Sequence, residues 1–174
     1  MIIDATERRH HRPKDNAQQK ALYSGKKKTH TIKNTVIVDV ERYIHFLGIT
    51  TQGNIHDINL LNIDLLGKIT NALKEIKILV DLGYLGIKDY VELDDLLIPF
   101  KKPRKSKNNP KPQLSDEQKA YNKELSAQRV IVEHVLAHVK RFSVLTDVFR
   151  NKINEWDDLF ITIVASIHNL EKIY

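Results

Sequence analysis

Three carboxylates stand at positions where a carboxylate needs an explanation. Asp81 follows Ile78-Leu79-Val80 and precedes Leu82, which puts a charge inside the most apolar run of the chain. An unpaired ionised group buried there is costly. Asp4 has the same character after Ile2-Ile3, and Glu133 lies far downstream in a helical stretch. If the strand ending at Asp4 neighbours the strand carrying Asp81, two like charges meet at the sheet. A divalent cation resolves that repulsion, and Mg²⁺ or Mn²⁺ favours a few carboxylates with retained waters and substrate phosphates. With a third carboxylate from a helix, two such cations could hold the attacking and leaving oxygens of an in-line phosphoryl transfer. Simpler readings compete with this one. Asp4 could cap a turn, Asp81 could shape a turn ahead of Gly83, and Glu133 could pair with Arg129 four residues earlier. Spacing alone leaves both sets open.

The elements that must position these groups read as follows. Met1-Ile2-Ile3 is a short strand ending at Asp4, and Thr6 to Thr31 is polar, basic and punctuated by Pro13 and Ser24-Gly25, so mostly loop. Thr31 to Val40 and Tyr43 to Thr50 are β-branched and aromatic runs separated by Glu41-Arg42, the pattern of a two-residue hairpin. Ile58, Leu61, Leu65, Ile69 and Leu73 recur at helical spacing, with Asp57 placed as N-cap. Lys77 to Tyr84 reads as a central parallel strand buried on both faces, Ile87 to Leu93 as a brief helix, and Asp95 to Phe100 as an edge strand. Residues 101–115 form a basic loop or insertion. Ser115 with Gln118 opens a long helix as a capping box, carried to about Leu145 by Leu125, Val132, Leu136, Val139 and Phe142. A last helix from Asn154 to Tyr174 should turn Trp156, Leu159, Ile163, Ile167 and Leu170 inward. The sum is one α/β domain over residues 1–174, a mixed sheet of about five strands flanked by helices.

Charge points to a polyanion. The chain carries 28 Lys and Arg against 22 Asp and Glu, and the whole surplus falls in residues 1–33, which hold nine basic and three acidic side chains. Pro99 to Lys119 forms a second block with seven basic residues and two acidic. Such clusters bind phosphate by releasing counterions, and carry no sequence preference of their own. No cysteine is present, which excludes disulfides, thiolate metal sites and a cysteine nucleophile. No window approaches the roughly 18 apolar residues of a membrane span, and a soluble cytoplasmic protein is expected. Adjacent His10-His11 in a basic loop read as exposed, and His134 and His138 beside Glu133 lack the HExxH order of a zinc protease.

Several segments together carry a resemblance. The run IDATERRHHRPKDNAQQKALYSGKKKTHTIK from Ile3, GNIHDINLL from Gly53, DLGYLG from Asp81 and NKELSAQRVIVEHVLAHVKRF from Asn122 are similar to the DDE-type transposases of bacterial insertion sequences and the related Harbinger-like nucleases. The resemblance spans nearly the whole chain in unbroken order. It implies a ribonuclease-H-like fold, with Asp4, Asp81 and Glu133 as the catalytic and metal-holding triad. It also implies two Mg²⁺ ions, with Mn²⁺ able to substitute, hydrolysis of a DNA phosphodiester to free a 3′ hydroxyl, and attack of that hydroxyl on target DNA. Transposon ends and target DNA are then the partners, bound by a homodimer in the bacterial nucleoid. Tyr23 to Lys28 with Arg12 and Lys14 reads as a loop gripping the DNA backbone through Lys26, Lys27 and Lys28. Arg129, Lys140 and Arg141 are candidate phosphate contacts around Glu133. His56 and Asp57 fall in a recurrent motif of the family, although an N-cap and a satisfied structural histidine account for them as well.

Members of this kind usually carry an upstream helix-turn-helix region, and the first strand here has only three residues ahead of Asp4. The expectation is a truncated or split reading frame. The rival to strand cleavage and transfer is a non-catalytic DNA-binding remnant, whose shortened strand no longer aligns the carboxylates.

Overall fold

The computed structural model describes residues 1–65, 73–90, 93–107, 110–151, 153 and 155–173. Strand β1 (Ile2–Arg9) lies at the centre of a mixed sheet. On one side it pairs antiparallel with β3 (Thr29–Val38), from Ile2 opposite Val38 to Arg9 opposite Thr31. On the other it runs parallel to β6 (Ile78–Leu79), which runs parallel to the edge strand β7 (Leu96–Leu97). Three short strands pair with β3 in turn: β2 (Tyr23–Ser24), β4 (Ile44–Leu47) and β5 (Thr51–Gln52). The sheet thus has five positions, the mixed α/β architecture expected of a ribonuclease-H-like fold.

Helices cover both faces, and residue parity along the strands decides which. Ile2, Val36, Val38 and Leu79 pack with Leu125, Val132, Val135 and Val139 of α3 (Asp116–Val139), α4 (Ser143–Thr146), and Ile161 and Val164 of α5 (Trp156–Ile173). Their neighbours Ile3, Ile37, Ile78 and Val80 face the opposite way, onto Leu61 of α2 (Asp57–Leu65), Leu73, Tyr84 and Ile87. Helix α1 (Asn16–Leu22) lies ahead of β2.

Several expectations require correction. First, β1 does not end at Asp4. It continues through the polar residues Thr6 to Arg9, because eight consecutive pairings with β3 hold its backbone and Thr6 and Arg8 are buried. The buried Arg8 guanidinium donates to Asn34 Oδ1 (2.9 Å), Thr50 Oγ1 (3.0 Å) and the Asp157 carbonyl (3.1 Å). Ahead of Asp4 the strand has only Ile2 and Ile3, both buried and paired with Val38 and Ile37. Second, Thr6 to Thr31 is not mostly loop: α1 begins where the Asp15 carboxylate accepts the Gln18 N–H at 2.8 Å, a capping signal that the surrounding charge obscured. Third, the β3–β4 connection has five residues, with Asp39 Oδ1 accepting the Tyr43 N–H at 2.8 Å and Arg42 at φ 71°.

The fourth correction concerns α5. Its inward side is Ile161, Val164, Ala165 and His168, whereas Trp156, Leu159, Ile163, Ile167 and Leu170 are between 36% and 54% exposed. Two apolar stripes compete on this helix, and the one containing small Ala165 lets it sit close to the sheet. Helix α3 opens with the expected capping box, Ser115 and Gln118 each bonding the other's backbone. It stops at Lys140, and a bend precedes α4. Lys77 to Tyr84 is strand only at Ile78–Leu79, then a short 3₁₀ turn, Leu82–Tyr84; a second turn, Ile87–Asp89, replaces the brief helix. The continuation of α2 towards Leu73, including Ile69, lies outside the described residues, as do Val91 and Glu92.

Candidate active site

The parallel junction of β1 and β6 sets the site. Ile2 is opposite Leu79, so Asp4 and Asp81, each two residues further on, come side by side on the face that carries Ile2 and Leu79. That face is covered by α3, and Glu133 lies there one helical turn after Arg129. Asp81 sits just past the end of β6 and its Oδ1 accepts the Leu82 N–H at 2.7 Å, capping the 3₁₀ turn. Gly83 within that turn keeps the chain close to α2, because a Cβ there would meet Asp57 Oδ2 at 3.1 Å.

Arg129 stands among the carboxylates. Its Nη1 is 2.6 Å from Asp81 Oδ1 and its Nη2 is 3.1 Å from Glu133 Oε1. Its Nε is buried without a hydrogen-bond partner among the described residues. Asp4 is mostly buried and its Oδ1 accepts the Ala5 N–H at 2.8 Å. Burial pushes the Asp4 carboxyl above the ordinary range, and the Asp81 and Asp57 carboxylates push the same way, against the Ala5 hydrogen bond and Arg129. The simple roles for Asp81 and Glu133 are thus real, a turn cap and a helix ion pair. Of the two carboxylates, Asp81 also acts on Asp4, whereas Glu133 is joined to the site through Arg129.

Carboxylates within β1, just past β6 and on α3 suit a hard divalent cation in kind. Among the described residues, no three acidic or histidine side chains are gathered closely enough to cage an ion. The guanidinium occupies the space between two of them, and its orphaned Nε marks that arrangement as incompletely satisfied.

The remaining candidates divide by location. Asp57 is the first residue of α2 and not its N-cap: the His56 carbonyl accepts the Asn59 and Leu60 N–H groups. The Asp57 carboxylate instead meets Lys33 Nζ at 3.1 Å, and Lys33 also donates to the Ile55 carbonyl at 2.9 Å. The His56 side chain is exposed. Lys26, Lys27 and Lys28 form an exposed turn held by Ser24, which accepts the Lys27 N–H on Oγ and the Lys28 N–H on its carbonyl. Lys27 and Lys140 border a cavity of about 370 Å³ with Glu7, Arg9, Thr29 and Thr31. Lys140 donates to the Glu7 carbonyl at 3.3 Å. Burial lowers the Lys140 pKa, Lys27 and Arg8 add to that, and Asp4 and Glu7 oppose it.

Arg12, Lys14 and Arg141 are not brought to this place. Arg12 donates to Gln19 Oε1 at 3.1 Å, and with Lys14 borders a cavity of about 720 Å³ next to His10, His11 and Phe149. Arg9 ends β1 about 17 Å of extended chain beyond Asp4, and both residues follow it. Arg141 borders a cavity of about 210 Å³ with His138, Phe142 and Glu171, towards α5. Sequence reasoning missed Lys33, although a lysine inside the β-branched run from Thr29 to Val38 was a visible signal. It also missed buried Arg8 and His168, whose partners are more than 25 residues away.

The chain is 34% identical over 175 residues to a probable transposase for insertion sequence element IS702 from Microchaete diplosiphon, an alignment covering 98% of this chain and 56% of that protein. It therefore spans a little over half the length of that relative. No solved structure matches the chain. Residues 3–169 match the DDE superfamily endonucleases, a span that includes Asp4, Asp81 and Glu133, and the chain belongs to that family.

Proposed function

We propose that this domain cleaves and joins DNA strands in transposition of an insertion sequence, with Asp4, Asp81 and Glu133 holding two Mg²⁺ ions, or Mn²⁺ in their place. The observation that carries the reading is the approach of Asp4 and Asp81 across the parallel β1–β6 junction, under the helix that supplies Glu133. The probable transposase that the chain resembles is consistent with it. Bound among these carboxylates, the ions would activate a water or a 3′ hydroxyl for attack and stabilise the leaving 3′ oxygen.

The chain's own residues do the rest. Asp81 is oriented by the Leu82 N–H and Asp4 by the Ala5 N–H, so both carboxylates are fixed by backbone donors next to the reacting phosphate. The Lys33–Asp57 pair braces α2 against β3 beside them. Lys27 and Lys140 offer two cationic contacts to the DNA backbone at the cavity beside β1, with Lys26 and Lys28 extending the track. Arg12, Lys14 and Arg141 would meet DNA further from the cleaved bond. Transposon ends and target DNA are the partners, and pairing two ends calls for two copies of the protein.

The test is strand transfer. A fluorescent duplex ending in a 3′ hydroxyl is incubated with supercoiled plasmid and Mn²⁺. Joined product that disappears in Asp4→Asn and Glu133→Gln supports the reading. Joining that survives both substitutions contradicts it.

A further inference from the structure

Two requirements at the site compete for the same oxygens. The Arg129 guanidinium holds Asp81 Oδ1 through Nη1 and Glu133 Oε1 through Nη2. A divalent cation held by Asp81 and Glu133 needs those carboxylates, and a guanidinium cannot stay between them at hydrogen-bonding distance while it binds. Resting on the metal-dependent reading above, we propose that Arg129 is an internal counter-cation: it occupies the carboxylate cluster in the metal-free chain and leaves it for a DNA phosphate when divalent metal enters. Metal and DNA binding are then coupled through one side chain.

Three observations support this. The site holds three carboxylates, and Arg129 bonds two of them, Asp81 and Glu133, while Asp4 is held by the Ala5 N–H. The present pose of Arg129 is imperfect, since its Nε has no partner among the described residues although it is buried. The side chain is also placed to move. It lies on the turn of α3 before Glu133, one quarter exposed, and its planar fork suits two oxygens of a phosphate as well as two carboxylates. A lysine cannot take both roles, because one ammonium does not span the two carboxylates in the same way.

Coupling of this kind is reciprocal. Without DNA, Arg129 competes with metal and weakens its binding. With DNA, the guanidinium has another partner and the competition is relieved. A structural helix-surface ion pair would predict neither effect on metal affinity.

The experiment is a titration of the full chain with Mn²⁺ alone, free Mn²⁺ being read by electron paramagnetic resonance, with and without a short duplex. Arg129→Gln should bind Mn²⁺ about tenfold more tightly than the unsubstituted chain without DNA, within the range of ordinary coupling, and the difference should shrink to less than about threefold with DNA. Arg129→Lys should fall between. Melting curves in EDTA report whether each variant folds; if the glutamine variant does not, the lysine variant carries the comparison. Equal or weaker Mn²⁺ binding by the variants, with binding still lost in Asp81→Asn, overturns the counter-cation role and leaves the metal site standing. Mn²⁺ binding that is absent throughout, or indifferent to Asp81→Asn, overturns both.

Discussion

Replacing Asp4 by Asn should make the metal-free protein more stable while removing its activity. The carboxylate is mostly buried, its pKa is raised first by that burial and then by Asp81 and Asp57, and Arg129 is engaged by Asp81 and Glu133. Asparagine is nearly isosteric and its Oδ1 keeps the Ala5 N–H bond, so the substitution deletes a frustrated charge without opening a cavity. Gains of this class run to about 1 kcal/mol, or roughly 2–4 °C in Tm for a chain of this size. The sign with pH follows from a folded pKa above the unfolded value of 3.8. The native state holds the proton longer, so the Asp4 penalty appears as pH rises from 3.8 through the raised value and is fully present at neutrality. Melts in EDTA at neutral pH should therefore place Asp4→Asn above the unsubstituted chain, and acidification should close the gap. Saturating Mn²⁺ should reverse the order: ligand at a hundred times its Kd stabilises by about 2.7 kcal/mol, a gain the variant forfeits with its carboxylate. A variant less stable in EDTA, with an undiminished response to Mn²⁺, would refute the reasoning.

Two further outcomes test the packing and the titration. Ile161→Ala should cost about 2–5 kcal/mol, because Ile161 is 1% exposed in the core under α5, whereas Ile163→Ala on the exposed side should stay within about 0.5 kcal/mol; urea denaturation compares them, and equal losses would restore the opposite helix face. His168 is buried, donates through Nε2 to the Arg42 carbonyl and accepts through Nδ1 from His138 Nδ1, whose Nε2 faces Glu171 at 3.2 Å. Burial holds its pKa below 6.5, with His138 and Lys172 acting alike and Glu171 and the Arg42 hydrogen bond opposing. Stability from this group is complete above pH 6.5 and lost as pH falls below it, because only the unfolded chain takes the proton readily. His10, also depressed by burial, adds to the same slope. The urea midpoint should be flat from pH 7 to 8 and fall towards pH 5, with a shallower fall in His168→Gln; a flat profile to pH 5 would contradict the assignment.

What the sequence revealed depended on how local the cause was. The capping box at Ser115 is decided within a few residues and stands in the structure as read, whereas Asp81, read inside a buried strand, caps the turn just past it and is 40% exposed. The reach of β1 to Arg9 was illegible because polar side chains from Thr6 onward hide a strand whose partners lie on β3, more than 20 residues away. The face of α5 was misread for a related reason. Two stripes on that helix are apolar, and only contact with α3 and the sheet selects Ile161, Val164 and His168 over Leu159, Ile163 and Leu170. Arg12 and Lys14 share a basic run with Lys26 to Lys28, yet Pro13, α1 and the length of β1 carry them elsewhere. The guanidinium between Asp81 and Glu133 was half legible: its spacing to Glu133 was visible, its bond to Asp81 was not.

The most direct test of the central claim is nicking of a labelled supercoiled plasmid by the purified chain in Mg²⁺, Mn²⁺, Ca²⁺ or EDTA, beside Asp81→Asn. The account predicts open-circular product with Mn²⁺ that disappears in EDTA and in the variant. A folded, DNA-bound chain that leaves the plasmid intact in every metal, or a variant that nicks as fast as its parent, would contradict it.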